Sequence, residues 1–419
     1  MIEALRRVTV FAIAVCALGC GAARVTPDTQ GTTVAPGECG RGLVVVESDY
    51  QSSNVSLLGF DGSVLSRSLL SSSAQSGGFA LSLGGDAAPP FSAMTGSSIV
   101  VIDRTPKGVL HFVDVTTARV ESELVVGTGF SANPHDYLLV NEHRAYVPRY
   151  DSNPNPGSEP WDQGGDILLV DPTVPAITGR IDLAPAMAGE PLRFTPNPSL
   201  VVRAGARVFA LLASFASDYQ SATTSRLVEL DPSSDSIVST LLLAGLRGCD
   251  ALALSPDEMQ LAVACTGGDT LSQEPNIEAS GLALIDISGS PNLTQHFAAS
   301  AFGASPIAFS VGYAAQKSII FGTLGHLAKS RAVATLDLLV RLDTSTGAFA
   351  EILRSRSQPF TLGDVRCAPK CGVCFAADAE RSGGSVLRFP LDSAGSVAEP
   401  VAIRVETQIG LPPRYLGAF

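Results

Sequence analysis

Between residues 39 and 419 the chain is built from short apolar runs rich in Val, Ile, Leu and Ala. Many alternate with polar residues, and clusters of Gly, Pro, Asn, Asp and Ser separate them. That pattern predicts β-strands joined by turns. No sustained 3.6-residue periodicity follows the first twenty residues, so helices are not expected. One pattern returns seven times, an apolar run ending in Asp and followed by turn residues. It occurs as LLGFDGS (Asp61), HFVDVTT (Asp114), ILLVDPT (Asp171), LVELDPS (Asp231), LALIDIS (Asp286), LVRLDTS (Asp343) and, less regularly, LRFPLDS (Asp392). The intervals run from 49 to 60 residues, the mark of a repeat architecture.

Each unit reads as four strands. An opening strand and a second strand form a hairpin, as in NPHDYLLVNEHRAYVPRY (Asn133 to Tyr150) and CDALALSPDEMQLAVAC (Cys249 to Cys265). A loop of variable length leads to the strand that ends at the repeated Asp. A fourth strand follows, such as ITGRIDL (Ile177 to Leu183). Seven units of four antiparallel strands make an all-β, seven-bladed β-propeller. The first unit starts at Gly42 with a second-type strand, GLVVVESDY, and lacks an opening one. PPRYLGAF (Pro412 to Phe419) reads as an opening strand with no unit behind it. The C-terminal strand is therefore expected to complete the first blade and close the ring, which removes exposed edges.

The N-terminus differs in kind. MIEALRR carries Arg6 and Arg7, and the apolar run Val8 to Gly19 follows. A mature membrane-spanning helix needs about 20 apolar residues, so this run fits a secretory signal. ALGC, Ala17 to Cys20, resembles a bacterial lipobox, with Ala17 where Leu is usual. The resemblance implies a signal peptide over 1–19 and a lipidated Cys20. With Gly rather than Asp at position 21 it also implies outer-membrane sorting. An ordinary cleaved signal peptide is the other reading. The small, polar segment 20–38 then serves as a flexible tether, and 39–419 is the propeller domain. The expected location is the cell envelope, with the chain held to the membrane by its N-terminal lipid, facing the periplasm or the cell surface.

Composition narrows the partners. The net charge is −12, which argues against nucleic acid or an anionic lipid surface as the main partner. The stretches RAYVPRYDSN and GDILLVDPTVPAITGRIDL resemble YVTN-type propeller repeats. That resemblance implies the fold and an extracytoplasmic setting, and no single activity. A monomer is expected.

Eight cysteines are present. Cys16 leaves with the signal and Cys20 takes the lipid, leaving six, an even number that points to three disulfides in an exported domain. Cys367, Cys371 and Cys374 form C-x3-C-x2-C, which resembles the cluster motif of radical S-adenosylmethionine enzymes. Strand–helix alternation is missing, however. Phe375 stands where a c-type haem motif needs His, and His326 is the nearest histidine, too distant in sequence to suggest a zinc site. Staples are the better reading. Cys249 and Cys265 flank the turn Ser255 to Glu258 and should face each other. Cys367 and Cys374 flank a turn in the same way. That leaves Cys39 to pair with Cys371 across the ring seam, although sequence alone does not fix the connectivity among those four.

The repeated Asp residues are read as turn caps. Asp136, Asp250 and Asp364, with Asn133 and Asn197 at nearby positions, fall near the starts of inner strands. They converge on one mouth of the channel as a cation or polar-ligand site, or they cap local turns. His135 reaches the same mouth. The longest insert, Arg149 to Asp166, carries Asp151, Asn153, Asn155 and Asp162 in an oxygen-ligand pattern that suits Ca2+. Pro156 occupies the place of the tight-turn glycine, which favours a plain surface loop. Trp161, the only tryptophan, marks this loop as a contact surface. No G-x-S-x-G elbow, glycine-rich phosphate loop or H-E-x-x-H motif is present. The sequence therefore points to a binding or interaction module for an envelope protein, an extracellular ligand or a small polar molecule, with no catalysis evident. A metal-assisted hydrolase or lactonase at the channel mouth is the second reading.

Overall fold

A computed structural model describes residues 29–74, 78–268, 276–303, 305–325, 335–356, 361–379 and 384–419. The signal segment, Cys20 and the first part of the tether lie outside the described residues. Among the described residues, twenty-eight strands form seven four-stranded antiparallel sheets, each with its innermost strand against the central channel. Blade 1 is Pro413–Ala418, Leu43–Ser48, Ser53–Leu58 and Val64–Ser71 in spatial order. The last strand of the chain thus supplies the innermost strand of the first blade. Its register runs from Leu43 opposite Ala418 to Glu47 opposite Pro413. The other innermost strands are Ala87–Ala88, Leu138–Asn141, Pro198–Ala204, Cys249–Leu254, Ile307–Ala315 and Leu362–Ala368, in blades 2 to 7.

The core lies between blades. Val44, Val46, Val55 and Leu57 of blade 1 pack with Ile99, Val101 and Val113 of blade 2, all fully buried. Equivalent clusters join each neighbouring pair around the ring. The two middle strands of each blade are buried on both faces, as in Leu43–Ser48 and Ser280–Asp286. Outer strands alternate, as in Ser236–Arg247, because one face meets solvent.

All seven repeated Asp residues cap turns between the third and fourth strands. Asp171 Oδ1 accepts from the N–H and the hydroxyl of Thr173, and Asp231 and Asp343 do the same with Ser233 and Ser345. Hydrogen bonds from these turns hold all seven carboxyls below the usual carboxylate range.

Three disulfides occur among the described residues, paired as expected: Cys249–Cys265, Cys367–Cys374 and Cys39–Cys371. The first two join residues that face each other across a hairpin. The third spans 332 residues of sequence and fastens blade 1 to blade 7. Such cross-links belong to an oxidising compartment, so the protein is an exported one. No helix among the described residues is long and apolar enough to cross a membrane.

Part of the segment expected as a free tether is docked. The Gln30 N–H donates to Ser68 O of blade 1 and the Thr32 N–H to Val115 O of blade 2. Between them Gly31 passes so close to Thr116 that an added Cβ would sit 1.9 Å from its carbonyl oxygen. Only glycine fits that approach.

Candidate functional site

Every blade contributes to one cavity of about 460 Å³ at the channel mouth, on the side where inner strands begin. Chemistry divides its wall into two sectors. The first comes from blades 7, 1 and 2. Arg366 lies on the innermost strand of blade 7, two residues beyond Asp364, so both point the same way. Its Nε donates to Leu416 O at 2.5 Å and its Nη2 meets Asp364 at 3.1 Å. The guanidinium also lies 4.4 Å above the Phe91 ring. Arg104 of blade 2 bonds the Tyr415 hydroxyl at 2.6 Å and pairs with Asp86. Arg414 sits over the ring of Tyr50 at 5.3 Å. Three guanidinium groups therefore line a cavity in a chain whose net charge is −12.

The second sector comes from blades 3, 4 and 5. His135 and Tyr150 stack at 4.1 Å, and Tyr219 lies nearly parallel to Tyr150, 6.3 Å away. Burial, with a smaller contribution from the Arg104 charge, holds His135 well below its ordinary pKa, so the ring is neutral. The Tyr150 hydroxyl reaches Asp250 at 3.2 Å. Burial pushes the Asp250 carboxyl up to about 7, against the lowering effect of that hydrogen bond. Leu200 and Leu252, with Ala308, Phe309 and Leu324 of blade 6, add apolar surface to the wall. Tyr50 and Tyr219 hold left-handed backbone angles, φ 65° and 57°. A bulky residue pays strain there, of order 1–3 kcal/mol, and such strain gathers at ligand clamps.

The residues singled out from the sequence separate into groups. Asn133, His135, Asp250 and Asp364 line the cavity. Asp136 does not: its buried carboxylate accepts the backbone N–H groups of Phe91, Tyr137 and Val201, stitching blades 2, 3 and 4 together. Asp364 plays the same part between blades 6, 7 and 1. It accepts from the Ser310 hydroxyl and from the Val365 and Leu416 N–H groups, while still facing the cavity edge. Asn197 is also structural. Its amide donates to Tyr150 O, and its oxygen accepts from Phe215 N–H and the Thr195 hydroxyl.

The insert of blade 3 bonds within itself and to its neighbouring blades. Asp151 accepts from the Tyr219 hydroxyl. Asn153 Oδ1 accepts from Asn155 N–H and its amide donates to Asp162 O, while Asp162 accepts from Gly157 N–H. No group of three or more His, Cys, Asp or Glu among the described residues is placed to hold a metal ion. Trp161 packs into the core between blades 2 and 3, and its carbonyl accepts from Arg149 and Thr128. It lies outside the cavity lining.

Sequence reasoning did not single out the three arginines or the tyrosines. The available signal was positional. Arg366 shares a strand face with Asp364, and Arg414 opens the strand that closes the ring.

These features define a seven-bladed β-propeller with one polarised pocket at its axis. No protein-family model matches the chain, and no curated protein matches it in sequence. Solved structures are similar in fold. The periplasmic gluconolactonase PpgL of Pseudomonas aeruginosa matches with a TM-score of 0.57 at 13% identity, over 90% of this chain and 98% of that one. A Bacteroides uniformis protein assigned as a 6-phosphogluconolactonase matches with a TM-score of 0.55 at 12% identity, over 90% and 98%. The β-propeller domain of Cps50 (Swd1) from Myceliophteria thermophila matches with a TM-score of 0.54 at 13% identity, over 85% and 95%. At these identities the likeness is one of fold.

Proposed function

We propose that this chain is a lipid-anchored, outer-membrane propeller of YVTN type that binds a small organic acid in its channel mouth. The observation that carries the reading is the placement of Arg104, Arg366 and Arg414 around one cavity of an otherwise acidic protein. Guanidinium forks match carboxylate and phosphate groups, and the low-dielectric wall strengthens the attraction. A thermal-shift screen against mono- and dicarboxylates, sugar acids and organic phosphates tests it. A saturating ligand at one hundred times its Kd adds about 2.7 kcal/mol, enough for a shift of several degrees. Arg414→Gln should remove that shift. Absence of any shift, or one that survives in the variant, counts against the reading.

Hydrolysis of a lactone is a second reading, favoured by Asp250. A carboxyl with its pKa raised into the neutral range is suited to activate water. Two similar folds are named for lactone chemistry. A pH-stat assay with glucono-δ-lactone tests it. Turnover lost in Asp250→Asn supports it, and no turnover above the buffer rate removes it.

A further inference from the structure

Resting on the pocket reading above, we infer that the ligand is a zwitterion, its acid group on the arginine side and an ammonium group against Asp250. The two sectors of the cavity differ in chemistry. On one side the guanidinium groups of Arg104, Arg366 and Arg414 line the wall. On the other, Asp250 has a single hydrogen-bond partner among the described residues, the neutral Tyr150 hydroxyl, and no cation among the groups that act on it. Blade 5, which carries Asp250, is three blades away from blade 1 with Arg414 and from blade 2 with Arg104. A ring of seven permits no greater separation.

A carboxylate facing the cavity with no cation beside it favours a positively charged partner, and a ligand hydroxyl supplies no charge. An ammonium group does. The surroundings admit it: the neutral His135 ring, Tyr150 and Tyr219 line this sector without adding positive charge. Arg104, Arg366 and Arg414 would repel that same cation and direct the molecule's acid end towards themselves. Charge on the wall thus sets orientation as well as affinity.

Isothermal titration of the exported chain with matched probes tests the inference. The probes are ω-amino acids of two to eight carbons, the corresponding carboxylic acids and alkylamines, and the rigid set 4-(aminomethyl)benzoate, benzoate and benzylamine. The best zwitterion should bind at least tenfold tighter than its matched acid and amine. Its affinity should rise between pH 6 and pH 8 as Asp250 ionises, while that of the acid stays flat. Asp250→Asn should bring the zwitterion to within threefold of the acid and abolish the pH response. Tyr150→Phe, which leaves the carboxylate in place, should retain most of the preference. Acids that bind as tightly as their zwitterions would overturn the inference and leave the pocket reading intact. A complete lack of binding by every probe would overturn both.

Discussion

Asp136, Asp250 and Asp364 look equivalent in the sequence, each near the start of an inner strand. The fold gives them different tasks. Asp136 and Asp364 each bond groups from three successive blades, while Asp250 turns into the cavity towards Tyr150. The difference arises from the neighbours. At Cys249 the Ser225 hydroxyl accepts the backbone N–H, so blade 5 needs no carboxylate clamp there. Asp136→Ala should therefore cost about 3 kcal/mol, because three buried N–H groups lose their acceptor. Asp250→Ala should leave stability within about 1 kcal/mol of the parent. Urea denaturation of both variants checks this, and equal losses would contradict it. Sequence periodicity located these positions, but it carries no information about which partner a neighbouring blade offers.

Glu47 provides a pH prediction. Its carboxyl is buried with Asn54 and Ser56 as partners, and burial raises its pKa to about 8. Between pH 4.5 and 8 the folded chain holds a proton that the unfolded chain releases. Stability contributed by this group therefore falls as pH rises through that window. Asp136 and Asp250, raised to about 6 and about 7, act in the same direction. Glu47→Gln should flatten the decline in denaturation free energy between pH 5 and 8, and an unchanged slope would contradict the assignment. The seven turn aspartates act oppositely. Their pKa values are depressed, so their contribution is complete above the unfolded value and is lost as pH falls through the folded one.

At the scale of elements, the ring depends on its seam. Blade 1 takes its innermost strand from the far end of the chain, and the Cys39–Cys371 bridge fastens it to blade 7. In the chain-entropy model a loop this long contributes about 6 kcal/mol, well above the short hairpin bridges. Replacing Cys39 and Cys371 together by Ser should lower the denaturation midpoint far more than the same change at Cys367 and Cys374. Similar losses would show that the seam is not where cross-linking matters. The strand order and both hairpin bridges were legible in the sequence, because they follow from local turns and a fixed repeat. The docking of Gln30 and Thr32 was not, since single backbone hydrogen bonds leave no pattern in a polar segment.

For the molecule as a whole, a nearly symmetric scaffold encloses an asymmetric pocket. Repetition in the sequence reports the scaffold and hides the site, because the site consists of the positions where blades differ. Arg104, Arg366 and Arg414 come from three blades and share no motif, yet they meet at one cavity. The direct test is diffraction from crystals of the exported chain soaked with the tightest-binding acid from the screen. The account predicts density within the channel mouth, with the acid group against Arg366 and Arg414. A ligand seated instead in the blade 3 insert or on the outer strands, with the mouth holding only solvent, would contradict it.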